Sequence, residues 1–316
     1  MRNSPAASLM AAPLTRRARK PSRFRQQIPY LLMLLPGLIF ILIFNYGPLL
    51  GSVIAFQDFN PGKGLLGSTW VGFENFARMF TLPDSAEILR NTLLLAAAKL
   101  VLSLFTALGF AILLNELRLL VFKRAVQTLV YLPHFLSWVI LASIARDLFS
   151  LHGPVNGVLG VFGIQPVYFL GDNTAFPALL IGSDVWKEYG FGAIVFLAAL
   201  TAISPSLYEA AEIDGATRWQ RIRFITLPSL VPTMVLLGGL SLGNVLNAGF
   251  DQIFNLYSPL VYPSSDVIDT WVYRTGLLDS QYGLSSAVGL LKSVVSFVLI
   301  AVSYWLAYRY ARYRIF

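Results

Sequence analysis

The sequence predicts an all-α polytopic membrane protein, and three observations support this prediction. The first is composition: 56% of the 316 residues are hydrophobic, 13% are charged, and the mean hydropathy is +0.65. A chain with this much apolar surface is not expected to stay soluble in water. The second is a set of six apolar segments long enough to cross a bilayer. The third is the distribution of lysine and arginine between those segments.

The six predicted spans follow from length. A hydrocarbon core of about 30 Å needs roughly 20 residues of helix, and six segments reach that length. They are 28–56, 91–114, 125–144, 176–203, 229–250 and 285–308. The first follows a basic stretch that resembles the start of a secretory signal, but its apolar run is too long and no small-residue cleavage site follows. We therefore expect a retained anchor, with 1–27 as a basic cytoplasmic tail and 28–316 as one six-helix transmembrane domain.

The placement of positive charge predicts the orientation. Lysine and arginine are concentrated in the N-terminal tail, after the second span, between the fourth and fifth spans, and at the C-terminus. All four places lie on one side of a six-span chain, so both termini are expected in the cytoplasm. The formal net charge of +8 is spread by membrane side and does not form one basic domain, so nucleic acid is not an expected partner.

A polar, charged element at 204–228 separates the fourth and fifth spans. Ser204 can cap a helix that has Pro205 at its first position, or Ser206 and Glu209 can form a capping box. Either arrangement satisfies backbone donors where the chain leaves the membrane. The element is therefore predicted to begin as a sharply defined helix on the cytoplasmic side.

The middle of this element predicts a helix-turn-helix. Two small residues, Ala210 and Ala211, precede the pair Asp214-Gly215, which favours a turn because glycine tolerates positive φ. A helical pattern resumes over 216–224. A simple amphipathic helix on the membrane surface would need neither the alanine pair nor the turn.

The order Glu-Ala-Ala, three residues, Gly-Ala and a later Leu-Pro resembles the EAA loop in permease subunits of bacterial binding-protein-dependent ABC importers. Segments 70–80, 131–140, 184–200 and 243–262 resemble the maltose-permease superfamily, in particular the branch that imports oligosaccharides and polysaccharide fragments. The resemblance implies a type I ABC importer permease fold in the bacterial cytoplasmic membrane. It also implies that the loop is a coupling helix that docks on an ATPase subunit. The residues to which it gives this role are Glu209, Ala210, Ala211, Asp214 and Gly215.

The energy source is expected in other chains. No lysine here lies in a P-loop frame, so this chain is not expected to be an enzyme. The resemblance implies a second homologous permease subunit, two ATPase subunits that bind ATP and Mg, an extracytoplasmic solute-binding protein and an oligosaccharide substrate, all within membrane lipid. No cofactor or metal is expected in this chain, because His134 and His152 are its only histidines and it has no cysteine.

Charged side chains within the apolar segments are candidates for a polar pathway, because they are costly in lipid unless they are paired or face water. They are Lys99, Asp184, Lys187, Glu188 and Lys292. Asp184 shares a helical face with Lys187 and with Glu188, so a structural ion pair is an equal alternative. The three lysines also raise the hypothesis that the substrate is acidic, such as an alginate-like uronate oligomer, unless nearby carboxylates neutralise them.

Three polar residues near the end of the fifth span, Asn244, Asn247 and Asp251, have the i, i+3, i+7 spacing of one helical stripe. Amides at such positions suit sugar hydroxyls, although hydrogen bonds between helices would use the same residues. Trp186 and Tyr257 could stack on pyranose rings or act as packing residues. The predicted substrate pathway comprises Trp186, Lys187, Glu188, Asn244, Asn247, Asp251, Tyr257 and Lys292.

Two other functional classes remain open from the sequence. An ion- or proton-coupled secondary sugar transporter would use Asp184 and Glu188 as its coupling site. A membrane scaffold without transport would use the polar residues of the fifth and sixth spans for packing alone.

Overall fold

The computed structural model describes residues 23–243 and 245–311, with side chains described for 27–243 and 245–305. Most of the predicted basic tail, residues 1–22, and the candidate Asn244 lie outside the described residues. The chain divides into two compact units, Met1–Gly51 and Ser52–Phe316. The candidate site lies in the second unit.

The described part of the first unit is helical. Helix α1, Arg23–Ile41, contains two prolines and continues into a π-helical turn, Leu42–Tyr46, and helix α2, Gly47–Leu49. A 3-10 helix, Leu50–Phe56, follows across the boundary between the units. Residues Gln27–Phe56 together form an apolar helical stretch of 30 residues, long enough to cross a bilayer.

The second unit begins with a small hairpin. Strand β1, Gln57–Asp58, pairs antiparallel with strand β2, Thr69–Trp70, and the short helix α3, Gly64–Gly67, lies between them. Helix α4, Glu74–Thr81, follows. The side chain of Asn75 donates to the backbone oxygens of Ala55 and Gln57, each at 3.0 Å, and so fastens α4 to the hairpin.

The predicted third span is broken. Helix α5, Ser85–Glu116, is a continuous 32-residue helix, but α6, Leu120–Tyr131, passes through a 3-10 turn and bends by 103° before α7, Trp138–Leu148. The expectation of one continuous helix over 125–144 was therefore wrong. Pro133 lacks a backbone donor, and Ser137 is extended and caps the new helix by accepting from the Ile140 amide.

Helix α8, Pro154–Val161, leads to α9, Ala175–Thr201, which packs along α5. Their contact holds the fully buried Phe176, Leu180 and Phe196. These aromatic and aliphatic side chains form the centres of two apolar clusters. The α5–α9 pair is therefore the framework on which the polar residues of α9 are held.

The chain then bends by 70° into α10, Pro205–Ile213, and returns through α11, Arg218–Arg221, and a π-helical turn to α12, Leu227–Leu242. The predicted fifth span, 229–250, is thus shorter than expected. Gly249 has a φ of +92°, a conformation that favours glycine, and α13, Phe250–Leu256, starts after it.

The C-terminal part comprises three further helices. Helices α14, Tyr262–Ser265, and α15, Ile268–Tyr273, precede a π-helical turn and the long helix α16, Tyr282–Ala311. Helix α16 contacts α12, α15 and α4. An apolar cluster that includes Trp271 and Leu284 lies between α15 and α16.

The predicted all-α membrane architecture is confirmed in the described residues. Within the part of the chain that the structure describes, length and composition allow four helices to cross a membrane, or up to six when each bent pair is counted as one span. The four are Gln27–Phe56, Ser85–Glu116, Arg218–Leu242 and Tyr282–Trp305. The two bent pairs contain α6 with α7 and α9 with α10, so the predicted number of six corresponds to the upper count.

Candidate functional site

The predicted coupling element begins at α10 with Ser204 and Pro205 in the expected positions but without the expected side-chain cap. Ser204 is the N-cap residue and Pro205 occupies the first turn. The Ser204 hydroxyl is hydrogen bonded to that of Ser206 at 2.8 Å and does not cap the helix with its side chain. Proline at this position costs no hydrogen bond, because the first amides of a helix have no intrahelical acceptor.

The turn after α10 has the geometry predicted for the Asp-Gly pair. Gly215 has a φ of +78°. Its amide donates to the Glu212 carbonyl at 3.1 Å, and the Ala216 amide donates to the Ala211 carbonyl at 2.8 Å. These two bonds form a Schellman motif, which closes a helix by satisfying its last carbonyls.

The second helix of the element, α11, starts slightly later than predicted. Thr217 caps α11 through a capping box in which its hydroxyl accepts from the Gln220 amide, while the Gln220 side chain accepts from the Thr217 amide. Ala216 and Thr217 therefore precede the helix that was expected over 216–224. Threonine at the N-cap position is favoured because its oxygen replaces a missing backbone acceptor.

Two side-chain contacts join helix α10 to the segment that follows the turn. The Tyr208 hydroxyl lies 2.9 Å from the Thr226 hydroxyl, just before α12, and Glu212 pairs with Arg221 at 3.3 Å. The Tyr208 contact is half-buried, so it connects α10 to the start of the fifth span with little competition from water. The element is therefore tied to α12 by more than its backbone.

The outer surface of α10 is accessible. Of the five predicted coupling residues, Ala211 is half-buried and the other four are exposed. Ile213, at the end of the helix, is 87% exposed. The surface therefore combines an exposed apolar side chain with exposed carboxylates, and protein interfaces use both apolar contacts and polar contacts.

A cavity of about 390 Å³ lies between α5, α9, α12 and the segment that precedes α13. Two of the predicted pathway residues, Glu188 and Asn247, line it. The buried hydroxyl of Ser103, which has no partner among the described residues, lies in the same wall. Its other polar lining residues are Lys99, Asp184 and Ser241.

A second cavity of about 510 Å³ lies between the end of α12 and α16. Asn247 borders this cavity as well, and Lys292 lines it together with Asp269 of α15. Lys292 Nζ donates to Asp269 Oδ1 at 2.5 Å. The two cavities therefore share one residue, Asn247, in the non-helical segment of the fifth span.

Lys99 is 6% exposed and hydrogen bonds to the non-helical segment that interrupts the predicted fifth span. Its ammonium donates to the Ala248 carbonyl at 2.6 Å and to the Gln252 side chain, and it lies 3.8 Å from Asp184. Gln252 is fully buried and donates in turn to the Leu180 carbonyl at 2.7 Å. Sequence reasoning missed Gln252, because only the fold brings α13 against α5 and α9.

The ion pair predicted within α9 is different from the one observed. Asp184 pairs with Lys99 of α5, whereas Lys187 pairs with its neighbour Glu188 at 3.1 Å and donates to the His134 carbonyl at 2.7 Å. Glu188 Oε2 also accepts a hydrogen bond from His134 Nδ1 at 2.8 Å. His134 is thus a hydrogen-bonded packing residue, stacked on Phe191.

The helical stripe predicted for the fifth span is wrong where the residues are described. Asn247 lies in the non-helical segment before α13, and Asp251 lies in the first turn of α13, beyond Gly249. Glycine with positive φ interrupts the 3.6-residue repeat on which the stripe depended. Asn247 lines both cavities, whereas Asp251 lines neither.

Trp186, Lys187 and Tyr257 lie outside both cavities. Trp186 is 50% exposed, and Lys187 is buried. Tyr257 follows α13 and packs against Tyr262, with ring centroids 5.0 Å apart. Burial, followed by the neighbouring Tyr262, raises the pKa of Tyr257 to about 12.

An Arg-Asp pair supports this outer aromatic group. Arg274 lies 2.5 Å from Asp266 and over the ring of Tyr262, at 4.3 Å from its centroid. Burial lowers the pKa of Arg274, but the hydrogen bond and the charge of Asp266 outweigh it, so the net shift is upward. Tyr262 thus packs against Tyr257 on one side and lies beneath the Arg274 guanidinium.

The family model for the inner membrane component of binding-protein-dependent transport systems matches residues 99–312. The chain belongs to this family, and it is a permease subunit of an ABC importer. A subunit of this kind is the transport component and is not itself the ATPase. The two alternatives left open by the sequence, a secondary transporter and a scaffold, do not agree with this membership.

Three similar proteins have names that also state what they transport. The polygalacturonan/rhamnogalacturonan transport system permease protein YteP of Bacillus subtilis (strain 168) is 39% identical over 308 residues, which cover 97% of this chain and 96% of that protein. The crystal structure of a bacterial ABC transporter involved in the import of the acidic polysaccharide alginate contains a chain with a TM-score of 0.84 and 38% identity, covering 91% of this chain and 97% of that chain. A bacterial alginate ABC transporter in complex with an alginate pentasaccharide-bound periplasmic protein gives 0.83 and 38%, with coverages of 90% and 96%.

Proposed function

We propose that this permease subunit translocates an acidic oligosaccharide into the cytoplasm. Two similar proteins support the substrate class, because one is named for polygalacturonan and rhamnogalacturonan and the other for alginate, and all three are acidic polysaccharides. The chain would work with a second homologous permease subunit, two ATPase subunits that bind ATP and Mg, and an extracytoplasmic solute-binding protein. It would span the bacterial inner membrane with both termini in the cytoplasm.

The observation that carries the coupling proposal is the closed helix-turn-helix at 204–228. Its first helix exposes Glu209 and Ile213, while Tyr208 bonds to Thr226 at the start of α12. A movement imposed on α10 by an ATPase subunit would therefore reach α9 through the chain and α12 through both the chain and this contact. Glu209, Ala210, Ala211, Asp214 and Gly215 form the proposed docking surface.

The proposed substrate pathway runs through the two cavities. Glu188 and Asn247 line the first, and Asn247 and Lys292 line the second. Amide and carboxylate groups accept hydrogen bonds from sugar hydroxyls, and the lysine can pair with an acidic group. Lys187 would act through Glu188, which it contacts at 3.1 Å.

Substitutions in α10 and its turn test the coupling proposal. Glu209→Lys reverses the charge on the docking surface, and Gly215→Pro cannot keep the φ of +78° that the turn requires. We expect both variants to insert and assemble but to lose the ATP hydrolysis that a sugar-loaded solute-binding protein stimulates. The measurement is hydrolysis by the purified complex in proteoliposomes, with and without the loaded binding protein.

Glu116→Lys is the matched control, since Glu116 is also an exposed glutamate, at the end of α5. It should retain stimulated hydrolysis. Normal stimulation in both Glu209→Lys and Gly215→Pro would refute the assignment of the coupling surface.

A further inference from the structure

Lys292 differs from the other two lysines within the spans in how its ammonium is satisfied. Lys99 and Lys187 are both 6% exposed, and each donates to two acceptors, one of which is a backbone carbonyl. Among the described residues, Lys292 Nζ donates to one acceptor only, Asp269 Oδ1. An ammonium has three donors, so two donors of Lys292 remain for an acceptor outside the described chain.

The surroundings of Lys292 indicate what that acceptor is. The 510 Å³ cavity falls within the roughly 300–1,000 Å³ of small-molecule sites. Its lining adds the hydroxyls of Ser293 and Ser296 and the amide of Asn247 to the ammonium. A lysine in a span must face water or another protein group, because lipid offers no acceptor. Hydroxyls and an amide next to a cation suit a sugar that carries a carboxylate.

We propose that Lys292 binds the carboxylate of an acidic sugar unit in this cavity, with Asp269 holding the ammonium in position. This inference rests on the proposed function and assigns its acid-recognising group. A carboxylate accepts charge-assisted hydrogen bonds, which are about twice as strong as neutral ones. A neutral sugar unit in the same place would make only the weaker bonds.

Asp269 has a second effect on such a site. It neutralises Lys292, so the pair together carries no net charge. A passage needs sites that bind strongly enough for entry and weakly enough for release. Asp269 therefore limits how tightly the carboxylate is held, and its removal should produce a site that binds well and releases slowly.

The test compares two substrates that differ only at the carboxylate: a trimer of galacturonate and its methyl ester. Both are offered to the complete importer in proteoliposomes, and the uptake of each by a variant is divided by that of the wild type. Lys292→Met should lower uptake of the acid at low concentration by about tenfold, the loss expected for one hydrogen bond to a charged group. Uptake of the ester should change by less than about twofold, because a neutral acceptor gains little from the ammonium.

Three variants make the result specific. Lys292→Arg keeps the positive charge and should retain most of the acid uptake. Asp269→Asn should lower the half-saturating concentration of the acid and also its maximal rate. Lys63→Met removes an exposed lysine outside the spans and should change neither substrate.

Two results overturn the inference while the proposed function stands: equal loss of acid and ester uptake in Lys292→Met, or no loss of either. If the wild-type complex takes up neither compound nor any other acidic oligosaccharide, the proposed function fails and the inference fails with it. The amount of assembled complex recovered for each variant separates a lost contact from a lost fold.

Discussion

Lys99 illustrates how a charged residue can be buried in a membrane span and serve the fold. Its ammonium bonds to the Ala248 carbonyl, which lies where the fifth span is not helical, and to Gln252 at the start of the next helix. A buried backbone carbonyl outside a helix needs a donor, and Lys99 supplies it to Ala248. The sequence singled out Lys99 for its charge, but its acceptors come from residues about 150 positions away in the chain.

Lys99→Met should destabilise the subunit strongly. The substitution leaves Asp184 without its cation and the Gln252 side-chain oxygen without its donor, and removal of one partner of a buried pair costs about 3–5 kcal/mol. The thermal midpoint of the purified subunit in detergent should fall. The double variant Lys99→Met with Asp184→Asn should recover part of the loss, because the uncompensated carboxylate is then gone. An unchanged midpoint in the single variant would contradict the structural role.

Gly190 shows how one element is positioned on another. It lies on α9, and a Cβ atom there would come within 2.5 Å of the Val130 carbonyl and 2.6 Å of a Val130 side-chain carbon on α6. The close approach of these helices therefore depends on the missing side chain. It also places His134, just after α6, beside Glu188 on α9.

Gly190→Ala should push α6 away from α9. Overpacking of this kind typically costs about 1–3 kcal/mol, so we expect a lower thermal midpoint and reduced transport. Gly182→Ala on the same helix is the matched control, since no atom lies within 4 Å of its Cβ position. The control should be neutral or slightly stabilising, because alanine favours helix over glycine. Equal behaviour of the two variants would show that the α6–α9 contact does not need glycine.

The elements themselves were predictable where the apolar repeat is long and were not where the chain breaks. Helix α5 and helix α16 agree with their predicted spans, and the Schellman turn at Gly215 agrees with the Asp-Gly pair. The breaks at Pro133 and Gly249 were missed, because proline and glycine are tolerated inside membrane-spanning helices and so do not by themselves mark a break. Asn247 therefore lines the cavities as its polar side chain suggested, but its backbone is not helical as predicted.

At the scale of the whole molecule, the coupling element and the cavities are joined by two helices. Helix α9 runs from Ala175, past Asp184 and Glu188 at the first cavity, to the bend before α10. Helix α12 runs from the Tyr208–Thr226 contact to Gly243 at the second cavity. Helices transmit displacement well because their backbone is fully hydrogen bonded. A displacement of α10 would therefore reach both cavities.

The partners of this assembly could be inferred from the sequence only through a family resemblance, in which the EAA loop marks the coupling surface. Its residues form an exposed surface, and an exposed surface by itself does not specify what covers it. The pairing of Lys292 with Asp269 was not predictable, because the fold alone brings α15 against α16. Lys99 and Lys292 thus form ion pairs between elements, whereas Lys187 and Glu188 pair within α9.

Site-specific cross-linking measures the central claim most directly. The chain has no cysteine, so a single cysteine can be introduced at Ile213, on the exposed end of α10, or at Leu66, which is fully exposed in α3. In the assembled importer, Ile213→Cys should cross-link to an ATPase subunit in a manner that changes with bound nucleotide, and Leu66→Cys should not. Cross-linking of Leu66→Cys to the ATPase, with none from Ile213→Cys, would contradict the account.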